Sequence, residues 1–430
     1  MALDFAARGL TAAETARSRR IGILSTLRRS MERTGLSAPE MAAALPAISA
    51  PATASIIGSS VLHSALSEPE QFHLTGGVWS VAGPQYPKNQ FVRPMTVHPG
   101  ISGDPAADAQ QGQGQRVRFV SWAPALELRV LYGDAFGGFR LKVDGEYVHL
   151  GLLGNSSDGT PVGAPRVIGV NWGDGSATER RARVYELEWS SNGAFGGVYT
   201  APEYDVQPAK PVNGLNLLVH GDSMLSTVFD TATFANAAQP SQGTLLANLL
   251  GQPDCWVSGV GGTGWVNDNG GAKATFGARQ ALDVIAPAPD VIIELGGRND
   301  GGLISQIELE GLVRAWIANV LASRPDTIIF MSGPILSRGG AENSAASNIA
   351  VRDAKRNAAA SFPRNVAFID NLARKWSTGS GRQTAPLGDG NADWCTGADS
   401  AHFTHEGHEF CASQVAHSIA AAVGPLIAAQ

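Results

Sequence analysis

LNLLVHGDSML, residues 215–225, is an apolar run that stops abruptly at Gly221-Asp222-Ser223. A short continuous apolar run bounded by turn residues reads as a buried strand. Gly-Asp-Ser after it is ordinary turn and helix-start vocabulary, because Asp and Ser side chains take hydrogen bonds from the free N–H groups of a first turn. Ser223 is therefore either a cap or a nucleophile. The rest of the chain decides between them.

Downstream of this run the pattern repeats. Apolar runs fall at 215–219, 255–258, 291–295, 327–331 and 366–369, with helix-like stretches between them such as Leu303 to Ser323 and Asn343 to Ser361. Continuous apolar strands alternating with amphipathic helices predict a parallel sheet covered on both faces. In such sheets ligands gather at the C-terminal ends of the strands, so the loops there matter most. Four loops carry suggestive residues: Gly221-Asp222-Ser223, then Ser258 to Gly264, then Gly296-Gly297-Arg298-Asn299-Asp300, and finally Asp399 to His408.

In this order the loops resemble the four blocks of the GDSL/SGNH hydrolase family. The first reads GDSM, with Met224 where the family's four-letter motif has Leu, a volume-conserving change. The second resembles Gly-X-X-Gly-X-Thr, with Gly262 at the functional glycine. The third matches Gly-X-Asn-Asp at Gly297 to Asp300, and the fourth matches Asp-X-X-His at Asp399 and His402, followed by Thr404, Gly407 and His408. Each block alone is a weak signal; four in order on a strand/helix background are a strong one. The resemblance covers roughly residues 214 to 425. It implies a serine esterase with a flavodoxin-like three-layer α/β/α fold and no cofactor.

The implied roles agree with elementary chemistry. A serine hydroxyl attacks well only when a base removes its proton, which His402 would do for Ser223. Asp399, three residues earlier, would hold the other ring nitrogen and fix its tautomer. The resemblance places the oxyanion hole at the N–H groups of Ser223 and Gly262 and the side-chain amide of Asn299. Asp222 reads as a turn residue, His220 as structural, and Asp300 as a residue that steadies its loop.

Three competing patterns are set aside. His402, His405 and His408 are spaced by three, but His-Glu-Gly-His is not the His-Glu-X-X-His of zinc proteases, so no metal is expected. His405 and His408 then serve the start of a helix or brace the site. Gly259 to Gly264 satisfies the dinucleotide fingerprint Gly-X-Gly-X-X-Gly, with Asp283 about twenty residues on. That aspartate, however, sits in a helix-like stretch before Pro287 rather than at a strand end, where it would reach a ribose. Gly-X-Ser-X-Gly occurs nowhere, which argues against the α/β-hydrolase fold.

Upstream of the first run the texture differs. Leu126 to Val130 and Tyr185 to Trp189 alternate apolar and polar residues, the mark of half-buried strands. Phe139 to Val143 and Glu146 to Val148 flank Asp144-Gly145, a two-residue hairpin turn that needs positive φ. Several such strands with Gly-rich turns predict a β-sandwich, jelly-roll-like, over 70–205. Residues 1–65 are Ala-rich and read as a helical N-terminal arm that loosens into a linker at PAISAPATAS, with a second linker at Pro208 to Pro211. The hydrolase domain is expected over 212–430. The first 35 residues hold seven arginines, at 8, 17, 19, 20, 28, 29 and 33, against Asp4, Glu14 and Glu32. They read as a solvated helix or as an arm docking on a larger assembly or a second copy.

The whole composition is that of a globular chain: 430 residues, 43% hydrophobic and 16% charged, with room for two cores. A formal charge of −6 disfavours nucleic acid as a partner. No run of membrane-spanning length and no secretory signal is read from the sequence, so the cytoplasm is the default compartment, with virion association or non-classical export as alternatives. Cys255 reads as a buried small hydrophobe, and Cys395 and Cys411 pair only if their compartment oxidises. Nine tryptophans and 51 glycines suit a carbohydrate-handling protein. A β-sandwich before such a domain resembles the layout of carbohydrate O-acetyl esterases, which makes a small ester or acetylated glycan the expected substrate. The alternatives are a broad short-chain carboxylesterase or lipase, and a glycan-binding protein whose hydrolase half is inert.

Overall fold

The computed structural model describes residues 11–81, 91–95, 112–113, 115–132, 139–153, 165–173, 180–189, 193–211, 214–225, 242–252 and 254–430. The chain divides into two compact units, one made of 1–37, 213–225 and 245–430, the other of 38–212 and 226–244.

The first unit is built on parallel strands β1 (Leu217–Gly221), β2 (Cys255–Gly259), β3 (Val291–Glu294), β4 (Ile328–Ser332) and β5 (Val366–Ile369), side by side in the order β5-β4-β3-β1-β2. Their side chains alternate between two apolar layers. Leu217, Val219, Val291, Ile293, Ile328 and Phe330 face one core; Leu218, Ile292, Ile329 and Met331 face the other. Both faces being covered is why each strand reads as an unbroken apolar run. Helices α1 (Ala12–Thr34) and α5 (His405–Ala428) supply the first layer through Leu24, Leu27, Ala412, Val415 and Ile419. Helices α3 (Gln306–Ser323) and α4 (Ala346–Ala360), following α2 (Gln242–Leu249), supply the second through Val313, Trp316, Ile317, Val351 and Ala358. This is the three-layer α/β/α arrangement expected. The strand order reverses between β1 and β3, and the crevice at such a switch point is where ligands bind in open α/β sheets.

The expected N-terminal arm differs from what is seen. Residues 1–10 lie outside the described residues. Helix α1 begins at a capping box, in which Thr11 and Glu14 satisfy each other's backbone N–H groups, and ends at Gly35 with φ 60°, as helix termini require. Its Ile23, Leu24, Leu27 and Met31 are buried in the hydrolase core, and Arg20 is buried too, donating to Gln430 Oε1 (2.6 Å) and to the carbonyl of Pro325 (2.9 Å). Past Gly35 the chain leaves the helix, and residues 47–48 and 61–64 are strands. A second correction concerns α5. At 24 residues it is long and apolar enough, by length and composition, to cross a membrane, against the expectation that no run is. Its apolar residues instead form core, with Ala412, Val415, Ala416, Ile419 and Val423 fully buried.

The second unit is a β-sandwich. One antiparallel sheet runs, in spatial order, through residues 47–48, 165–171, 125–132, 193–200, 92–95 and 78–81, with 61–64 also pairing 193–200. The other runs through 146–153, 139–143, 183–189, 115–121 and 206–208, with 73–75 also pairing 115–121. Their inner faces share a core that includes Phe119, Leu128, Leu141, Leu187 and Phe195. The hairpin at Asp144-Gly145 has φ of 55° and 93°, the double positive φ of a type I′ turn. In the strand 183–189 the alternation separates the faces correctly, but the polar face is not solvated. Glu186 and Glu188 are buried with Arg116 and Lys142, Lys142 lying 2.9 Å from Glu186 and 3.2 Å from Glu188. Burial pushes both carboxyls up, yet Lys142 and Arg116 outweigh it and hold them below the usual range.

Candidate active site

Strand β1 ends at Gly221, where an added Cβ would sit 3.2 Å from the backbone N of Gly296. A side chain there would crowd the close approach of the first and third loops. Asp222, fully buried, is what fastens them: one carboxylate oxygen accepts from Met224 N (3.0 Å), the other from Gly297 N (3.1 Å). Burial pushes this carboxyl up, with the two N–H groups and the nearby Arg298 and Lys355 pulling against it. The capping role therefore belongs to Asp222. Ser223, the first residue of a single 3-10 turn, is left to point elsewhere.

It points at His402. The Ser223 Oγ lies 2.8 Å from His402 Nε2, and His402 Nδ1 lies 2.5 Å from Asp399 Oδ2. A carboxylate can only accept, so it selects the tautomer with the proton on Nδ1, leaving Nε2 to accept from the serine. The second Asp399 oxygen accepts from the backbone N–H groups of Ala401 and His402, both at 3.0 Å. Burial pushes the Asp399 carboxyl up, but the His402 ring and these two N–H groups outweigh it, so it lies below its ordinary range. Ser400 adopts a positive φ of 64° within this turn. Arg382 braces it, donating to the carbonyl of Ala398 (2.9 Å) and to Ser400 Oγ (2.7 Å).

The second and third loops are clamped together by Asp300. Its buried carboxylate accepts from the backbone N–H groups of Trp265 (2.8 Å), Val266 (2.9 Å) and Asn267 (3.1 Å). Gly264 makes room for it, since a Cβ there would lie 2.4 Å from either carboxylate oxygen. Gly262 has φ +75°, and a Cβ would come 2.8 Å from Asn269 Oδ1. Asn299 donates one side-chain hydrogen to the carbonyl of Thr263 (2.9 Å), which aligns its amide and leaves its second N–H for another acceptor.

The remaining candidates have other employment. His405 pairs with Glu409 at 3.0 Å in the first turn of α5. His408 is buried edge-on against Phe403, where burial, then the neighbouring His405 and His402, push its pKa down to about 3. Among the described residues no group of His, Cys, Asp and Glu is arranged to hold a metal ion. Asp283 is buried, accepting from Ser258 Oγ (2.6 Å) beside Arg279, so the dinucleotide-like glycines lack their ribose partner. His220 packs its ring on Phe276 and Trp316. Cys255, Cys395 and Cys411 are buried, and no two of them are joined by a disulfide.

Residues 219–410 match the model of the GDSL-like lipase/acylhydrolase family. The chain carries a GDSL-like hydrolase domain. This makes it a carboxylic ester hydrolase, and the match begins two residues into β1 and runs to the second turn of α5. No curated protein matches the chain in sequence. Among solved structures it is similar to a salicylyl-acyltransferase from a tetracycline biosynthetic pathway, at 15% identity and TM-score 0.56 over 84% of this chain and 98% of that one. A family two carbohydrate esterase from Cellvibrio japonicus gives 14% identity and TM-score 0.54, covering 85% and 99%. Another from Clostridium thermocellum, in complex with cellohexaose, gives 15% and 0.53, covering 82% and 100%. At these identities the likeness is one of fold, and it extends well beyond the GDSL-like hydrolase domain.

Proposed function

We propose that the protein is a serine esterase that removes short acyl groups, acetyl above all, from a carbohydrate. The observation that carries this reading is the hydrogen-bonded series Ser223 Oγ, His402, Asp399. Ser223 Oγ attacks the ester carbonyl carbon while His402 Nε2 takes its proton, and Asp399 stabilises the imidazolium that results. The carbonyl oxygen becomes an oxyanion, met by the backbone N–H groups of Ser223 and Gly262 and by Asn299 Nδ2. As the C–O bond to the alcohol breaks, His402 returns the proton to the departing oxygen, leaving acyl-Ser223. Water, deprotonated by the same histidine, then releases the acid and restores the serine.

Support for a glycan comes from the fold likeness to carbohydrate esterases, one of them holding cellohexaose. The test is hydrolysis of aryl acetate, butyrate and octanoate, with acetate release from acetylated xylan, by wild type and Ser223→Ala. The expected result is fastest turnover on acetate, a steep fall beyond four carbons, and loss of all activity in the variant. Turnover that rises with chain length would replace the acetylesterase reading with a lipase.

A further inference from the structure

Arg298 occupies the unspecified position of the Gly-X-Asn-Asp block, and its guanidinium touches the residue before His402 and the residue after Ser223. Nη1 donates to the carbonyl of Ala401 at 2.5 Å, one residue before His402. The same nitrogen lies 3.9 Å from Met224 Sδ, one residue after Ser223. Arg298 is itself bonded to Asn299. Its other nitrogen, Nη2, reaches Glu342 Oε2 at 3.4 Å, and that carboxylate is fixed in turn by Arg338 Nε (3.1 Å) and Nη2 (2.6 Å).

We propose that Arg298 is a positioning residue, the strut that sets His402 at hydrogen-bond distance from Ser223 and in register with Asn299. The polar groups around His402 are all pinned. Asp399 holds its N–H, and Gly397 N donates to its carbonyl (2.8 Å). The Ala401 carbonyl takes two donors, Arg298 and Ser337 Oγ (2.9 Å). Of these, Arg298 alone comes from the loop that carries Asn299, so its hydrogen bond ties the base to the proposed oxyanion donor. A planar fork holds Glu342 and Ala401 with two separate nitrogens in fixed geometry, with the thioether alongside; a lysine would have to reach both from a single nitrogen on a flexible stem. Arginine side chains pack through their stems as well, so methionine at 298 keeps the packing while removing the donors.

The inference rests on the Ser223 reading, and its test separates the two. Steady-state kinetics on aryl acetate and the rate of Ser223 labelling by a fluorophosphonate are measured for wild type, Arg298→Met, Arg298→Lys and Ser223→Ala. Small displacements of a base can lower a rate by about 100-fold. Arg298→Met should lose roughly 30- to 100-fold in kcat with KM within about threefold, and its labelling rate should fall in parallel. Arg298→Lys should recover part of both, since one ammonium can still reach the Ala401 carbonyl. Should Arg298→Met not fold, Glu342→Gln, which loosens the strut from its far end, should lower kcat and labelling several-fold. Wild-type kcat and labelling in Arg298→Met, or in Glu342→Gln where that variant stands in, overturn the proposal while leaving Ser223 as nucleophile. An active Ser223→Ala overturns the underlying reading instead.

Discussion

Asn299 and Asp300 stand side by side and do different work. Asn299 has one side-chain N–H engaged by Thr263, and its second is the oxyanion donor proposed above, whereas Asp300 spends its carboxylate on three backbone N–H groups of the second loop. Asn299→Ala should therefore lower kcat by about 10²–10³, a loss of roughly 2.7–4 kcal/mol of transition-state stabilisation, with little change in the urea midpoint. Asp300→Ala should chiefly destabilise, because each buried N–H left unpaired costs about 1–3 kcal/mol. Kinetics and urea unfolding of the two variants check this, and a reversed pattern would contradict it. Ser223, Gly262, Asn299, Asp399 and His402 were all legible as candidates, because their motifs are local. The acceptors that join one loop to another were not. Nothing near Asp222 in sequence announces that it reaches Gly297, 75 residues away, and nothing near Arg298 announces Ala401.

Among the elements, β3 and α4 carry the least expected feature. Glu294 and Lys355 are both fully buried, 2.6 Å apart. Glu294 also accepts from Gly296 N (2.8 Å), and Lys355 donates to the carbonyl of Gly296 (2.6 Å). This closed ring fixes the first residue of the Gly-Gly-Arg-Asn-Asp loop. Burial, held back by Lys355 and the Gly296 N–H, pushes Glu294 from 4.5 up to about 7. A carboxyl raised on folding destabilises once ionised, so its penalty is absent below about pH 4.5 and full above about pH 7. Lys355→Met removes the counter-ion and raises Glu294 further. Breaking a buried pair in this way costs about 3–5 kcal/mol. Urea unfolding should show that loss at pH 8 and a clearly smaller one at pH 5, where Glu294 can take up a proton; equal losses at both would contradict the account. The strands themselves were readable to within about two residues, because burial on both faces leaves an unbroken apolar signature. Helix starts moved inward, α3 from 303 to 306, because Ser305 and Glu308 form its capping box. The buried ion pairs on the sandwich strand 183–189 were invisible, since alternation gives the face of a residue and not what covers it.

At the scale of the molecule, the hydrolase unit closes around a helix from the far end of the chain. Helix α1 was readable as a helix from its composition, and Ile23, Leu24, Leu27 and Met31 mark an apolar stripe. Its partner was not readable, because the residues it packs with, such as Leu217 and Val415 in the same core, lie some 200 to 400 positions away. The same limit hid the short strands at 47–48 and 61–64, which pair with residues 170–171 and 197–200. Within the hydrolase unit, β1 and β3 lie side by side at the switch point, and the loop before α5 brings His402 to Ser223 there. The central claim is that Ser223, delivered there, becomes acylated. It is tested by acid-quenching the enzyme within milliseconds of mixing with an aryl acetate and locating the 42-dalton acetyl mass, about one acyl group per chain, by peptide mass spectrometry. The account predicts acetyl on Ser223, absent when His402 is replaced by alanine; an acetyl group on another residue, or rapid turnover with Ser223 never labelled and its alanine variant fully active, would contradict it.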